Sequence, residues 1–293
     1  MVLPFRFGVN LLAPTSRAAW VEKCRRAEKL GFDVIGVPDH LGLVAPFPAL
    51  MLAAEVTERV RLNTFVLNTP FYNPTLLARD VAGLDQLSGG RFELGLGTGY
   101  VQSEFESAGI RFPSAGRRVE HVAETVRTLR RLFADPDYQP RPVQPGGPPV
   151  LMAAWGERAL RVAAEHAEII AFVGGGTADS GHITVADSAT TAKKVDFVRG
   201  LLGSRAETVE FNLLIQGLTG HADRAAFLEQ LAPHLPPGNT DDLEDIPVLL
   251  VGTPEEQART LRERRDRFGF NYLTVNEFNI DKFAPLIPLL RGT

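Results

Sequence analysis

The sequence has few of the features that mark several large protein classes. It holds a single cysteine, Cys24, in 293 residues, which excludes an internal disulfide framework and a cysteine-cluster metal site. Its 31 basic residues are balanced by 35 acidic ones, so no basic excess points to a nucleic-acid partner. No apolar run approaches the roughly 18 residues of a membrane span, and the first residues show no signal-peptide pattern. We therefore expect a soluble, cytoplasmic globular protein without a nucleic-acid or membrane partner.

Two kinds of catalytic motif are also missing. The sequence has no His-x-x-x-His pair and no array of carboxylates with metal-ligand spacing, so no metal site is predicted. It also has no Gly-x-Ser-x-Gly turn, which argues against serine hydrolase chemistry. The chemistry must come from other residues.

What the sequence does have is a regular alternation of two patterns. Short apolar runs predict eight strands, at 5–9, 33–37, 61–67, 91–96, 150–153, 168–172, 208–215 and 271–275. Longer segments with helical periodicity lie between and after them, at 16–30, 48–59, 73–87, 117–133, 156–165, 187–202, 253–268 and 281–290. Strict alternation of strand and helix indicates a parallel sheet, because parallel neighbours need a crossover helix.

Eight such units predict an α/β fold of the (β/α)8 TIM-barrel type, as one domain over 1–293, with a doubly wound open sheet as the alternative. Two segments interrupt the alternation. One, at 136–149, is rich in proline, and the other, an insertion near 174–191, holds Gly174-Gly175-Gly176 and many small polar residues. Both are interpreted as loops at the carboxyl-terminal face of the strands, where barrels place their active sites.

The pair Asp39-His40 directly follows the second predicted strand. At that face of a barrel both side chains could reach a pocket. Histidine titrates near neutral pH, and an adjacent carboxylate can orient it for acid–base chemistry. A loop pair in which the aspartate caps a turn is the alternative interpretation.

Two further strand ends carry small residues. Gly95-Leu96-Gly97-Thr98-Gly99 follows the fourth strand but lacks the last glycine of the dinucleotide fingerprint, since position 100 is Tyr100. Consecutive backbone N–H groups in such a turn can cradle a phosphate, although a plain tight turn is the alternative. Ala153 to Glu157 opens a helix after the fifth strand, where free N–H groups would face an anion.

Taken together, the motifs resemble those of the luciferase-like monooxygenase superfamily, in its branch of coenzyme F420-dependent oxidoreductases. The resemblance covers nearly the whole chain. The motifs that carry it are residues 27–33 followed by Val37-Pro38-Asp39-His40, and the segments 64–79, 87–99, 251–256 and 283–285. The stretch 87–99 is the most specific of them.

The resemblance implies a (β/α)8 barrel whose cofactor ring lies at the strand ends, against a non-proline cis peptide that matches Phe65-Val66. It places Asp39 and His40 beside the deazaflavin ring, with Asp39 in polar contact and His40 as proton donor or acceptor. Its phosphate-binding positions match the following residues of this chain: Thr98, Gly99, Tyr100, Ser103, Ala154, Trp155 and Gly156.

The implied function is hydride transfer between coenzyme F420 and a small organic substrate. An FMN-dependent monooxygenase and a non-catalytic F420-binding protein are the alternatives. Tyr100 stands where sugar-phosphate-oxidising members carry a catalytic glutamate, so glucose-6-phosphate dehydrogenase activity is not implied. The resemblance also implies a homodimer, formed through the helices after the second and third strands, where we expect small residues such as Ala53 and Ala54 to be exposed.

Overall fold

The computed structural model describes residues 3–12, 16–177, 183–235 and 243–293. Its strands are β1 (Arg6–Asn10), β2 (Val34–Val37), β3 (Arg61–Thr64), β4 (Leu67–Asn68), β5 (Phe92–Gly97), β6 (Val150–Ala154), β7 (Ile169–Phe172), β8 (Gly175–Thr177), β9 (Ile183–Val185), β10 (Glu210–Ile215), β11 (Gly217–Thr219), β12 (Leu249–Val251) and β13 (Phe270–Asn276). Its helices are α1 (Arg17–Lys29), α2 (Pro46–Val56), α3 (Pro74–Leu87), α4 (Gln102–Ser107), α5 (Ala115–Ala134), α6 (Glu157–His166), α7 (Ser188–Leu202), α8 (Arg224–Leu231), α9 (Pro254–Phe268), α10 (Ile280–Phe283) and α11 (Leu286–Leu290).

Nine of these strands form one sheet in the order β3-β2-β1-β13-β10-β7-β6-β5-β4, and β3 also pairs with β5. This additional pairing closes the sheet, with β3 and β4 together filling the third of eight strand positions. The pairs β2–β3, β3–β5 and β10–β13 are parallel. The predicted (β/α)8 barrel is therefore confirmed, and the open doubly wound sheet is wrong.

The described chain divides into two compact units: a first unit of residues 10–153 and 166–169, and a second of 1–9, 154–165 and 170–293. In the first unit α1 and α3 begin within one residue of their predicted starts, α2 and α5 begin two residues earlier than predicted, and α4 was not predicted. Asn73 caps α3 by accepting hydrogen bonds from the backbone N–H groups of Thr75 and Leu76, and Pro74 takes the first helical position. The buried face of α3 then carries Leu77, Val81 and Leu84.

The third barrel strand differs from its prediction as one run over 61–67. It is broken between β3 and β4, where the peptide bond joining Phe65 and Val66 is cis, as the resemblance implied. The neighbouring β5 makes room for this break with glycine. A Cβ atom on Gly95 would lie 1.7 Å from the carbonyl oxygen of Thr64, so no larger residue fits there.

The proline-rich segment 136–149 was expected at the carboxyl-terminal face of the strands, and this expectation is wrong. The segment joins α5 to β6, so it lies at the amino-terminal end of the strands. Gln144 fixes it there: its backbone N–H donates to Oδ2 of Asp85 at 2.9 Å, and its side-chain amide donates to Oδ1 of Asp85 at 2.7 Å and to the Phe92 carbonyl at 2.8 Å. Asp85 is fully buried. This segment therefore lies at the amino-terminal end of the barrel strands, opposite the face where barrels place their active sites.

The small residues expected on the outside of α2 are not exposed. Ala53 and Ala54 are both buried, because they face the interior of the first unit between α2 and its neighbours. The expectation that Ala53 and Ala54 are exposed and available for a dimer contact is therefore wrong.

The second unit holds a capping box at the start of α9. The Thr253 hydroxyl accepts from the Glu256 N–H, the Glu256 carboxylate accepts from the Thr253 N–H, and Gly269 ends the helix in the left-handed region with a φ of 84°. The insertion near 174–191 contains the antiparallel pair of β8 and β9, and its residues 178–182 lie outside the described part.

Two kinds of feature are absent from the described residues. None of their helices is both long enough and apolar enough to cross a membrane. In the same part of the chain, no group of three or more His, Cys, Asp or Glu side chains could hold a metal ion.

Candidate active site

Asp39 follows β2 in the first unit and is held by two hydrogen-bond donors. Its Oδ2 atom accepts from the backbone N–H of Asn68 at 2.9 Å and from the hydroxyl of Tyr72 at 3.0 Å. Asn68 ends β4, which follows the cis peptide, and Tyr72 lies one turn further along the chain. The break in the third strand therefore brings these donors to the carboxylate that β2 delivers.

Burial changes the acid–base behaviour of Asp39 and Tyr72. Desolvation raises the pKa of Asp39, although the Asn68 N–H and the Tyr72 hydroxyl act in the opposite direction. Desolvation and the neighbouring Asp39 charge raise the pKa of Tyr72, so its hydroxyl keeps its proton and remains a donor. The carboxylate is therefore oriented and partly withdrawn from water, which suits a group that makes a fixed polar contact.

His40 contacts a different carboxylate. Its Nδ1 atom lies 2.8 Å from Oε1 of Glu104, which is in the first turn of α4, just after β5. The His40 side chain is 38% exposed and that of Glu104 is 14% exposed. Within the described chain Nε2 has no hydrogen-bond partner, so the second ring nitrogen is available to another molecule. Such an arrangement fixes the imidazole and leaves one nitrogen free for proton transfer.

Polar atoms without partners surround the break in the third strand. The side-chain amide of Asn63, the Oδ1 atom of Asn68 and the hydroxyl of Thr69 are buried without a hydrogen-bond partner in the described chain. Most buried polar groups in folded proteins are hydrogen-bonded. A bound ring with N–H and carbonyl groups at its edge would supply partners of the kind that these atoms lack.

The turn after β5 is closely packed against this same break. Gly99 has a φ of 68°, and a Cβ atom on it would lie 2.2 Å from Oδ1 of Asn68. Glycine is therefore required at position 99 by the turn itself, whether or not a phosphate binds there. Thr98 is half-buried, Tyr100 and Ser103 are exposed, and the ring of Tyr100 lies edge-on to His40 with centroids 6.2 Å apart.

The other predicted phosphate loop lies in the second unit. Ala154 is buried at the end of β6, Trp155 is half-buried and Gly156 is exposed. The carbonyl of Gly156 accepts from the N–H of Leu160 at 2.9 Å, so α6 starts here as the sequence predicts. A Cβ atom on Gly156 would meet nothing within 4 Å, which leaves its backbone accessible.

Sequence reasoning missed Glu104, Tyr72 and Asn68. Asn68 and Tyr72 lie 29 and 33 positions from Asp39, and Glu104 lies 64 positions from His40. A signal for Glu104 was present, since it is an acidic residue a few positions after a glycine-rich strand exit. The signal was overlooked because the six-residue α4 is too short to show a clear periodicity.

Comparison with known proteins identifies the family. Residues 1–271 match the sequence profile of luciferase-like monooxygenases. The chain belongs to this family. The match covers nearly all of the chain, as the resemblance read from its motifs indicated.

Individual relatives align over shorter stretches. An F420-dependent glucose-6-phosphate dehydrogenase of Intrasporangium calvum is 38% identical over 126 residues, 39% of this chain and 38% of the relative. The 4-hydroxyprotoasukamycin monooxygenase of Streptomyces nodosus subsp. asukaensis is 31% identical over 131 residues, 43% of this chain and 33% of the relative. The chain thus spans about two fifths or less of the length of these relatives.

A solved structure extends the likeness to the whole chain. An F420-dependent secondary alcohol dehydrogenase in complex with an F420-acetone adduct superposes with a TM-score of 0.78 at 18% identity, over 99% of this chain and all of that one. At this identity the likeness shows a common fold.

Proposed function

We propose that this protein is an F420-dependent oxidoreductase that transfers a hydride between the deazaflavin coenzyme and a small organic substrate. The observation that carries the proposal is the group of Asp39, His40 and Glu104, at the strand ends beside the cis peptide of Phe65 and Val66. The F420-dependent relatives in the same family support the choice of coenzyme.

The residues around the break in the third strand fit a deazaflavin. Oδ1 of Asn68 can accept a hydrogen bond from a ring N–H, and the hydroxyl of Thr69 can donate to a ring carbonyl, since both atoms are buried without partners in the described chain. The bound coenzyme would supply a carbon that accepts or releases a hydride. The cis peptide of Phe65 and Val66 would lie against the ring.

The protein's own contribution would be positioning and proton transfer. Asp39, held by Asn68 and Tyr72, would fix one polar edge of the ring. His40, held by Glu104 at Nδ1, would take or give the substrate's proton through Nε2. Thr98, Gly99, Tyr100 and Ser103 in the first unit, and Ala154, Trp155 and Gly156 in the second, would supply phosphate contacts, for which backbone N–H groups are suited.

An FMN-dependent monooxygenase is the second candidate, because monooxygenases such as the Streptomyces enzyme are among the relatives. A non-catalytic F420-binding protein is the third. Oxidised F420 should lose its absorbance when the protein is incubated anaerobically with it and a panel of small alcohols. Oxygen-dependent turnover of FMN with no F420 reduction would favour the second candidate, and tight F420 binding with no reduction would favour the third.

We further propose that the protein works in the cytoplasm, as its composition indicates, and that it is a homodimer, as the family resemblance implies. Light scattering should give a mass of about twice 32.0 kDa at micromolar concentration. A mass near that of one chain would refute the dimer. Fractionation of cells that produce the protein tests whether it is found in the cytoplasm.

A further inference from the structure

The helix that carries Glu104 is too short to hold its own position. α4 has six residues, and isolated helices shorter than about 12 to 15 residues are marginal in water. Within α4, every residue of which is described, Phe105 alone is buried, and it is fully buried. The place of Glu104 beside His40 therefore depends on what the neighbouring Phe105 ring contacts.

The Phe105 ring contacts a second phenylalanine, which belongs to the segment after β4. Its centroid lies 4.8 Å from that of Phe71, and the two ring planes are tilted by 59°. This separation falls within the range of about 4.5 to 7 Å that aromatic pairs prefer. Phe71 ends a short helical turn, and the next residue, Tyr72, donates its hydroxyl hydrogen bond to Asp39 at 3.0 Å. The ring contact thus joins the segment that holds Asp39 to the helix that reaches His40.

Further contacts hold the Phe105 ring in place. Phe112 packs on it with ring centroids 5.0 Å apart, and the guanidinium carbon of Arg118 lies 4.3 Å from the Phe112 centroid, where a cation is attracted to the ring face. The turn after β5 also approaches the ring, since a Cβ atom on Gly99 would lie 3.0 Å from Cζ of Phe105. The ring therefore has little room to move, and the segments packed on it are fixed relative to one another.

We propose that Phe105 is a positioning residue that couples the two carboxylate groups of the site. On one side it holds Tyr72 against Asp39. On the other side it holds Glu104 against His40. This inference rests on the proposed function, in which Asp39 contacts the coenzyme ring and His40 transfers the proton. It predicts that one fully buried apolar side chain sets the coenzyme affinity and the rate of proton transfer together.

Two measurements test this coupling without coenzyme. The first is the tautomer of neutral His40, read from the nitrogen NMR shifts of its ring, because a carboxylate at Nδ1 keeps the proton on that nitrogen. The second is the hydrogen-exchange rate of the Asn68 backbone N–H, which donates to Asp39 at 2.9 Å. It is taken relative to the rate of the buried Leu62 N–H in β3, so that the contribution of global unfolding cancels. A merely structural role of Phe105 would move neither measurement.

The variant Phe105→Leu keeps an apolar side chain but removes the ring contact and leaves a cavity. We expect His40 to populate both tautomers in this variant, and the relative exchange rate of Asn68 to rise roughly tenfold, a factor that corresponds to about 1.4 kcal/mol. Phe92→Leu is the matched control. Phe92 is equally buried in the same unit and pairs with Phe47, with centroids 6.1 Å apart, but it lies at the start of β5, away from the site. Its variant should lower the melting temperature and leave both measurements unchanged.

Measurements with coenzyme then test both effects together. Phe105→Leu should weaken F420 binding and slow the single turnover, each roughly tenfold, because only the fraction of molecules with both contacts formed is competent. Phe105→Met should restore most of both, since methionine fills irregular gaps in a core. Tyr72→Phe should weaken binding alone, and its loss should combine less than additively with that of Phe105→Leu, because residues that act through one another are coupled. Additive losses would contradict the coupling.

The outcomes separate this inference from the proposed function. Failure of the wild type to bind F420 would overturn the proposed function, and the two coenzyme-free measurements would still decide whether Phe105 couples the two groups. If Phe105→Leu changes neither of them more than Phe92→Leu does, the inference is overturned. A change at His40 without one at Asn68 would show that Phe105 holds α4 alone, and would overturn the coupling as well. Should Phe105→Leu fail to fold, Phe71→Leu, which replaces the half-buried partner ring, takes its place with the same expected changes.

Discussion

His40 and Glu104 are joined by a contact of 2.8 Å between Nδ1 and Oε1, although 64 positions separate them in the chain. The contact ties the end of β2 to the helix after β5. A carboxylate at one ring nitrogen favours a single tautomer and orientation, and leaves the other nitrogen for substrate. This contact defines the proton-transfer group of the proposed site.

Removing His40 should slow hydride transfer and leave F420 affinity unchanged. General acid–base catalysis contributes about 10² to 10⁴-fold, so we expect His40→Ala to lower the single-turnover rate within that range. Rapid-mixing absorbance of F420, with a substrate from the alcohol panel, measures it. A normal rate would remove His40 from the mechanism, and a lower melting temperature with a normal rate would assign it a structural role.

Glu104 should act through His40. Glu104→Gln removes the charge beside Nδ1, and we expect it to reduce the rate less than His40→Ala does. The double variant should be no slower than His40→Ala alone, because residues that act as one unit are not additive. Glu106→Gln is the control, since Glu106 is an exposed carboxylate on the same helix. Additive losses in the double variant would contradict the coupling.

The buried Asp39 carboxylate should reduce the free energy of unfolding at neutral pH, because burial disfavours its charged form. Because its pKa is raised, ionisation destabilises the fold above that pKa, and the destabilisation disappears below the ordinary value of about 3.9. Asp39→Asn keeps an acceptor oxygen for Asn68 and Tyr72 without the charge. We expect it to melt at a higher temperature than the wild type near pH 7, with the gain shrinking towards pH 4, while F420 binds more weakly.

Melting curves between pH 4 and pH 8 test this expectation. Asp80→Asn is the control, because it removes a more exposed carboxylate of the same unit that pairs with Arg79. A melting temperature of Asp39→Asn below that of the wild type at pH 7 would contradict the prediction.

The phosphate contacts are best tested at Thr98 and Ser103, because substitution of Gly99 would disrupt the turn whatever binds there. Loss of one hydrogen bond to a charged group costs about 1.5 to 3 kcal/mol, so Thr98→Val and Ser103→Ala should each weaken F420 roughly tenfold or more. Neither should change the affinity for a deazaflavin without the phosphate-bearing tail. Ser107→Ala, an exposed serine on the same helix, is the control. Equal losses for both ligands would refute the assignment.

Much of the fold could be predicted from the sequence because the signals are local. The capping box at Thr253 and Glu256 and the cap at Asn73 each depend on residues that are close together in the sequence. The alternation of strands and helices determines the order of the barrel strands. The exit of β2 likewise indicated Asp39 and His40. The proline-rich segment 136–149 was misplaced because its composition resembles that of a functional loop, whereas its position between a helix and a strand decides which end it occupies.

The rest of the site depends on contacts that no short pattern contains. The donors to Asp39 come from a strand broken at Phe65 and Val66, and only the broken strand brings the Asn68 N–H to that carboxylate. Glu104 reaches His40 because β3 pairs with β5 and so brings α4 beside the end of β2. Such meetings follow from barrel closure, so they could be located only once the structure was known.

The central claim is that the site takes a deazaflavin, and parallel fluorescence titrations with F420 and with FMN test it most directly. The account predicts saturable binding of F420 at least tenfold tighter than that of FMN, and weaker F420 binding by Asp39→Asn. FMN binding as tight as or tighter than F420 binding, or F420 binding unaffected by Asp39→Asn, would contradict it.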